Sequence, residues 1–181
     1  MTEEPIRELI ENVIDPPADS VHTPYIHGML IARQGKLVVE EYFHGFHRDV
    51  PHDTRSAAKS LTSFLVGAAI EAGQPVDLAM PVYETIGAPY FDESLDPRAR
   101  HMTLEHLLTM SSGLDCDDSD PDSLGNEDRV QSQEVNTDWY DFTLSLDMLR
   151  EPGESAVYCS INANLAGCVL SAATGRSLES L

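Results

Sequence analysis

The strongest constraint in the sequence is one long apolar stretch, residues 55–73, which reads RSAAKSLTSFLVGAAIEAG. Its composition predicts a helix over residues 57–72, which Gly73 ends as a left-handed C-cap residue. The larger apolar side chains would lie on nearly every side of this helix: Leu61, Phe64, Leu65, Val66 and Ile70. A helix that is apolar all round is normally buried, so we expect the rest of the chain to pack around this one.

Two polar residues stand at the start of this predicted helix. Ser56 and Lys59 are three positions apart and would therefore share a face. The chain contains two lysines, Lys36 and Lys59, so lysine does not serve here as a general solubilising charge. Burial and the positive end of a helix dipole both lower the pKa of an ammonium group, which can then act as a base. This predicts Ser56 as a nucleophile beside Lys59, with an oxyanion held by the N–H groups of the first helical turn.

The same two residues also have a simpler interpretation. Ser56 would then be only the N-cap of the helix, and the Lys59 side chain would extend to water. The spacing S-x-x-K often arises by chance, so taken alone it leaves both interpretations open.

The charge of the chain excludes some classes of partner. There are 31 acidic and 11 basic residues, which give a net charge of −20. Such a surface repels the phosphates of nucleic acids and anionic membranes, so we expect neither as a partner. The first residues, MTEEPIRELI, have no basic segment followed by an apolar one, and no apolar run approaches the length of a membrane span. The sequence therefore predicts a cytoplasmic protein of one domain.

No part of the sequence predicts a metal site. The cysteines Cys116, Cys159 and Cys168 lack metal-type spacing and are odd in number, so we expect reduced, mostly structural thiols. The acidic run at residues 115–122, DCDDSDPD, fails as a calcium loop because Ser123 and Arg129 occupy the required glycine and glutamate positions. We expect this run to be a solvated loop. The four histidines between residues 22 and 47 do not have ligand spacing either.

Hydrophobic periodicity and turn residues predict the remaining elements. A hairpin is expected from strands 26–32 and 36–43 around Arg33-Gln34-Gly35, and residues 77–86 are expected to be irregular. Further helices are predicted over residues 5–14, 103–110, 136–149 and 162–173. A two-stranded sheet is only marginally stable by itself, so the chain has the pattern of a partial domain.

Three blocks of the sequence follow one another in this order: RSAAKSLTSFLVG, MTLEHLLTMSSGLD and PGESAVYCSINANLAGCVLSAATG. Together they resemble the serine β-lactamase-like and penicillin-binding-protein-like hydrolases, and most of all the class C-type group with its esterases and amide hydrolases. The resemblance runs from about residue 28 to residue 181. It implies an α/β (α+β) fold of the β-lactamase/transpeptidase type, with a helical lobe and an incomplete antiparallel sheet.

The resemblance also implies roles for particular residues. Ser56 matches the acyl-accepting nucleophile, and Lys59 matches the lysine that takes or relays its proton. Tyr158 matches the tyrosine that shares this proton and passes it to the leaving group. Ser160 stands where many relatives have asparagine, and would contact substrate. His106, in the second block, would be a packed or surface histidine.

One family element has no match in the sequence. The family carries a third motif, K-T-G, H-T-G or similar, on a strand well after the tyrosine, and that strand supplies an oxyanion-hole N–H. Nothing after Tyr158 resembles it. We therefore expect the N-terminal part of a β-lactamase-like domain, whose C-terminal strands and closing helix are absent from residues 1–181 and could come from a second chain.

The function implied is hydrolysis of a small ester or amide through an acyl-enzyme on Ser56, with no metal or organic cofactor. Two alternatives stay open. One is a true penicillin-binding protein or β-lactamase, which would turn over a β-lactam faster than simple esters. The other is a non-catalytic binding module, whose affinity for ligand would survive Ser56→Ala.

Overall fold

The computed structural model describes residues 4–14, 26–87, 95–131 and 139–181. These residues form two compact units, Met1–Asp53 and Thr54–Leu181. Each unit has its own local architecture and is described separately.

The first unit contains a helix and a hairpin. Helix α1 spans Glu4–Ile14, and strands β1 (Gly28–Arg33) and β2 (Lys36–Tyr42) pair in antiparallel fashion. Gln34 and Gly35 connect the strands, with φ angles of 49° and 73°. Positive φ at both central residues is typical of a type I′ turn, whose twist matches that of the flanking strands. The predicted hairpin is therefore confirmed.

The second unit begins with the long apolar helix. A 3₁₀ turn over Arg55–Ala57 continues into α2, Ala58–Glu71, and Gly73 follows with a φ of 69°. The predicted helix and its end are thus confirmed, but the prediction that the helix is buried is wrong. The structure buries Val66 and Ala69, whereas Phe64 is 74% exposed. A helix is covered all round only if elements pack on every side, and α7 (Ser160–Thr174) covers one side of α2.

Short helices fill the rest of this unit. They are α3 (Val82–Ile86), α4 (Leu104–Leu108), α5 (Glu127–Gln131) and α6 (Trp139–Leu144), and 3₁₀ turns lie at Pro97–His101 and Leu178–Ser180. Helix α3 falls in the segment that was expected to be irregular. His106 belongs to the capping box of α4, where its side chain accepts a hydrogen bond from the Thr103 N–H.

The helix predicted over residues 136–149 is shorter in the structure. Residues 136–138 of that prediction lie outside the described ranges, and α6 ends at Leu144. Past that point the backbone pairs with another loop instead: Leu114 and Met148 form a β-bridge, and the Leu149 N–H donates to the Gly113 carbonyl. Tertiary backbone pairing therefore replaces the helical bonds that the apolar periodicity predicted.

Helix α7 forms the centre of the second unit. It contacts α2, α3, α4 and α6, and its fully buried side chains include four large apolar ones: Ile161, Leu165, Val169 and Leu170. Burial of such a side chain typically contributes about 1.5–3 kcal/mol. This packing fixes the N-terminal end of α7, which carries Ser160, relative to the first turn of α2. None of the helices in the described ranges has the length and apolar character that a membrane crossing requires.

Gly113 provides a test of the loop that pairs with the segment after α6. Its φ is 84°, and a Cβ at this position would collide with the Arg150 carbonyl oxygen. Gly113→Ala is therefore expected to lower the free energy of unfolding by about 2–4 kcal/mol, from strain and steric overlap together. Urea denaturation measures this change.

Gly67 in α2 is the matched control. Apart from its chain neighbours and the backbone of its own helix, no heavy atom lies within 4 Å of a Cβ built there, so Gly67→Ala should raise stability by about 0.5–1 kcal/mol. Equal effects of the two substitutions would contradict this account of the loop.

Candidate active site

Ser56 and Lys59 lie together where the 3₁₀ turn enters α2. The Lys59 Nζ donates a hydrogen bond to the Ser56 Oγ, with 3.0 Å between the two atoms. The predicted shared face is thus present. The predicted burial is not, because Ser56 is exposed and Lys59 is only half-buried.

Tyr158 lies against the same two residues, although it is distant in sequence. The Lys59 Nζ is 5.0 Å from the centre of the Tyr158 ring. Hydrogen bonding with the Ser56 side chain is the largest cause that lowers the pKa of the Tyr158 hydroxyl. Hydrogen bonding with Lys59 and the charge of Lys59 lower this pKa as well, whereas partial burial and the charge of Asp118 raise it. The phenolate is therefore populated at a lower pH than that of an ordinary tyrosine.

This arrangement fits a nucleophile with its base. An exposed serine hydroxyl accepts a hydrogen bond from the Lys59 side chain, and hydrogen bonding with the same hydroxyl lowers the pKa of the Tyr158 phenol. A phenolate can accept the serine proton while the ammonium group remains charged and stabilises the negative charge that develops. The structure thus brings together Ser56, Lys59 and Tyr158, the three residues that the sequence motifs singled out.

The segment that carries Tyr158 is extended, and other loops hold it in place. The Val157 N–H donates to the Met110 carbonyl at 2.8 Å, and the Asp118 N–H donates to the Tyr158 carbonyl at 3.0 Å. Next in the chain, Cys159 forms a disulfide with Cys116. Tyr158 therefore reaches Lys59 from a backbone that is anchored on both sides.

The disulfide corrects the prediction of reduced structural thiols. Cys116 and Cys159 are both buried, and their Cα atoms lie 5.6 Å apart, within the range for such a bridge. Their sequence separation is 43 residues, so their proximity comes from the fold and could not be seen in the spacing. Cys168 remains a thiol, and burial raises its pKa.

Ser160 begins α7 and is bound by two carboxylates. Its N–H and its Oγ each donate to the Asp118 Oδ2 at 2.8 Å, and its Oγ also lies 3.0 Å from the Glu127 Oε2. An oxygen from outside the helix thus satisfies an N–H at the helix N-terminus, where negative charge is favourable. Asp118 and Glu127 were not predicted as members of the site, because no local spacing in the sequence joins either residue to Ser160.

These residues border an open cleft. Ser56, Lys59, Ser160, Glu127 and Trp139 are among the residues that line a cavity of about 520 Å³. This volume would admit a small organic molecule. Ser160 therefore borders this cleft with its hydroxyl held by carboxylates, and its contact with a substrate stays a prediction.

The pKa of Tyr158 tests this geometry. Lys59→Met removes a hydrogen bond and a positive charge, so the Tyr158 pKa is expected to rise. Carbon NMR of labelled tyrosine measures it, and Tyr158→Phe identifies the signal among the six tyrosines.

The other lysine provides the control. Lys36→Met makes the same chemical change at the start of β2 and should leave the Tyr158 pKa unchanged. An unchanged pKa in Lys59→Met would show that Lys59 does not act on the phenol.

The fold has been compared with known structures. A candidate beta-lactamase from Bacteroides dorei superposes with a TM-score of 0.67 at 20% identity, covering 97% of this chain and 47% of that one. A candidate 6-aminohexanoate-dimer hydrolase from Bacillus anthracis gives a TM-score of 0.64 at 19% identity, covering 84% of this chain and 41% of that one. This chain spans less than half the length of either structure.

The sequence has been compared with known families as well. No curated protein sequence matches the chain at a significant level. The beta-lactamase family model matches residues 19–181, which is most of the chain. The many helices of the second unit and the small antiparallel sheet of the first agree with the β-lactamase/transpeptidase-like α/β fold that the sequence predicted. The chain belongs to the beta-lactamase family.

Proposed function

We propose that this protein is a serine hydrolase that cleaves a small ester or amide through an acyl-enzyme on Ser56. The observation that carries the proposal is the 3.0 Å contact between the Lys59 Nζ and the Ser56 Oγ, with the Tyr158 hydroxyl beside both. Membership of the beta-lactamase family and the hydrolase-like neighbours support a hydrolase-type function in the broad sense.

The proposed reaction follows from the charges at these atoms. The Tyr158 phenolate takes the proton of Ser56 as the Oγ bonds to the carbonyl carbon of the substrate. The Lys59 Nζ, which contacts the Oγ, offsets the negative charge that develops. When the carbon–heteroatom bond breaks, the leaving group takes the proton from Tyr158. Water then attacks the acyl-enzyme and regenerates the free serine hydroxyl.

The proposed substrate is a small molecule. The cleft volume of about 520 Å³ fits one, and one structural neighbour is named as a hydrolase of 6-aminohexanoate dimers. Simple activated esters are suitable probes, because their good leaving groups need little help from the protein.

The chain is also proposed to act together with a second segment that corresponds to the other half of the neighbours. Exposed apolar side chains on α2, Leu61 and Phe64, support this, since apolar surface of this kind is commonly covered by a partner. A cytoplasmic location stays a prediction, and the disulfide between Cys116 and Cys159 is of a kind that is rare in the reducing cytosol.

Intact mass spectrometry after incubation with an activated acyl ester tests the nucleophile. The wild-type chain is expected to gain one acyl group, and Ser56→Ala to gain none. Tyr158→Phe should acylate about 10²–10⁴ times more slowly, the usual contribution of a general base.

Ser63→Ala is the matched control, because Ser63 is an exposed serine on the same helix. It should acylate as fast as the wild-type chain. Equal labelling of Ser56→Ala and wild type would rule out Ser56 as the nucleophile and favour a non-catalytic binding module.

The need for a second segment has its own test. If the strand that carries the family's third motif is required for turnover, the chain alone should release one equivalent of leaving group and then stop, because the acyl group persists on the serine. Continuous absorbance of the released alcohol measures this. Sustained release over many equivalents would show that the described residues suffice.

A further inference from the structure

Asp118 occupies an unusual position beside the candidate site. Its Oδ2 accepts two hydrogen bonds from Ser160, one from the N–H and one from the Oγ, both at 2.8 Å. Its own N–H donates to the Tyr158 carbonyl at 3.0 Å, and its Oδ1 accepts from the Glu127 N–H at 3.1 Å. This one residue therefore bonds to the chain on both sides of Cys159.

We propose that Asp118 is a positioning residue, which holds residues 158–160 so that the Tyr158 hydroxyl stays beside Ser56 and Lys59. Asp118 touches none of the atoms that would react. It acts through the backbone of Tyr158 and through the first residue of α7. The catalytic consequence of this positioning role rests on the proposed function. The first measurement that tests the role is the Tyr158 pKa, which does not require activity.

The loop that carries Asp118 is itself rigidly bonded. The side-chain amide of Asn126, which is buried, donates to the carbonyl oxygens of Asp117, Asp118 and Asp120 at 3.1–3.2 Å. Two residues before Asp118, Cys116 is bonded to Cys159. An anchored loop can transmit its position to the segment it binds, whereas a freely solvated acidic run could not. The bonds that Asp118 makes to Tyr158 and Ser160 therefore restrict where the tyrosine can lie.

Two substitutions separate position from charge. Asp118→Asn and Asp118→Ala remove the same negative charge, which acts on the Tyr158 hydroxyl together with the positive charge of Lys59 from α2. The asparagine keeps a side-chain oxygen that can accept from Ser160, and the alanine keeps none. Any difference between the two variants therefore reports the lost hydrogen bonds and not the lost charge.

The first measurement is the Tyr158 pKa in both variants, read by carbon NMR of labelled tyrosine. Loss of the Asp118 charge alone should lower this pKa, because that charge raises it in the wild-type protein. Release of the segment should raise it, because the phenol then leaves Ser56 and Lys59. We expect a higher Tyr158 pKa in Asp118→Ala than in Asp118→Asn. Equal values in the two folded variants would overturn the proposal.

The second measurement is the rate of acylation by the activated ester. Asp118→Ala should acylate about 10²-fold more slowly than Asp118→Asn, as expected when a catalytic group is displaced by about 1 Å. Asp122→Asn and Asp122→Ala are the control pair, since Asp122 is an exposed carboxylate of the same loop. These two should match the wild type in both measurements.

Folding is checked by circular dichroism before either comparison. If Asp118→Ala is unfolded, Asp118→Ser replaces it, because its shorter side chain reaches Ser160 less well than asparagine while retaining one acceptor. Its Tyr158 pKa should again exceed that of Asp118→Asn, and an equal value would overturn the proposal. A further outcome is that the wild-type chain is not acylated while the two Asp118 variants still show the expected difference in the Tyr158 pKa. That result would contradict the proposed function and leave the positioning role intact.

Discussion

The packing of α7 against its neighbouring helices is the constraint on which the rest of the second unit depends. Its buried side chains, Ile161 and Leu165 among them, fix where the N-terminus of the helix lies. The first turn of α2, with Lys59, and the 3₁₀ turn before it, with Ser56, are placed by the same contact between helices. Two groups that are distant in sequence can then meet at a fixed distance, which a reacting serine and its base require.

The second sequence block, MTLEHLLTMSSGLD, helps to hold Tyr158 in the structure. Met110, within this block, binds the backbone just before Tyr158, and Cys116 and Asp118, just after it, bind the residues that follow. Met110 has a φ of 58°, which is uncommon for a residue with a side chain, so the loop accepts strain where it supports the tyrosine. The residues of this block and those that follow it therefore bind the segment around Tyr158 and hold it in place.

The predictions from the sequence agree with the structure where interactions between residues close in sequence determine the conformation. Ser56 and Lys59 share a helical face because of their spacing, and the hairpin follows from alternation and turn residues. The proximity of Tyr158 to that pair came from the family resemblance, since no local rule joins distant segments. The disulfide and the role of Asp118 were missed for the same reason. Hydropathy likewise shows which side chains favour burial, but not whether other elements are present to cover them, so the exposure of α2 was not predicted.

The central claim is that Ser56 is the residue that becomes acylated. The most direct test is peptide mapping by tandem mass spectrometry after brief labelling with an activated acyl ester. The account predicts that the acyl group lies on Ser56, in the peptide that starts after Arg55. An acyl group found on Ser160, on Lys59 or on Tyr158 instead, with Ser56 unmodified, would contradict it.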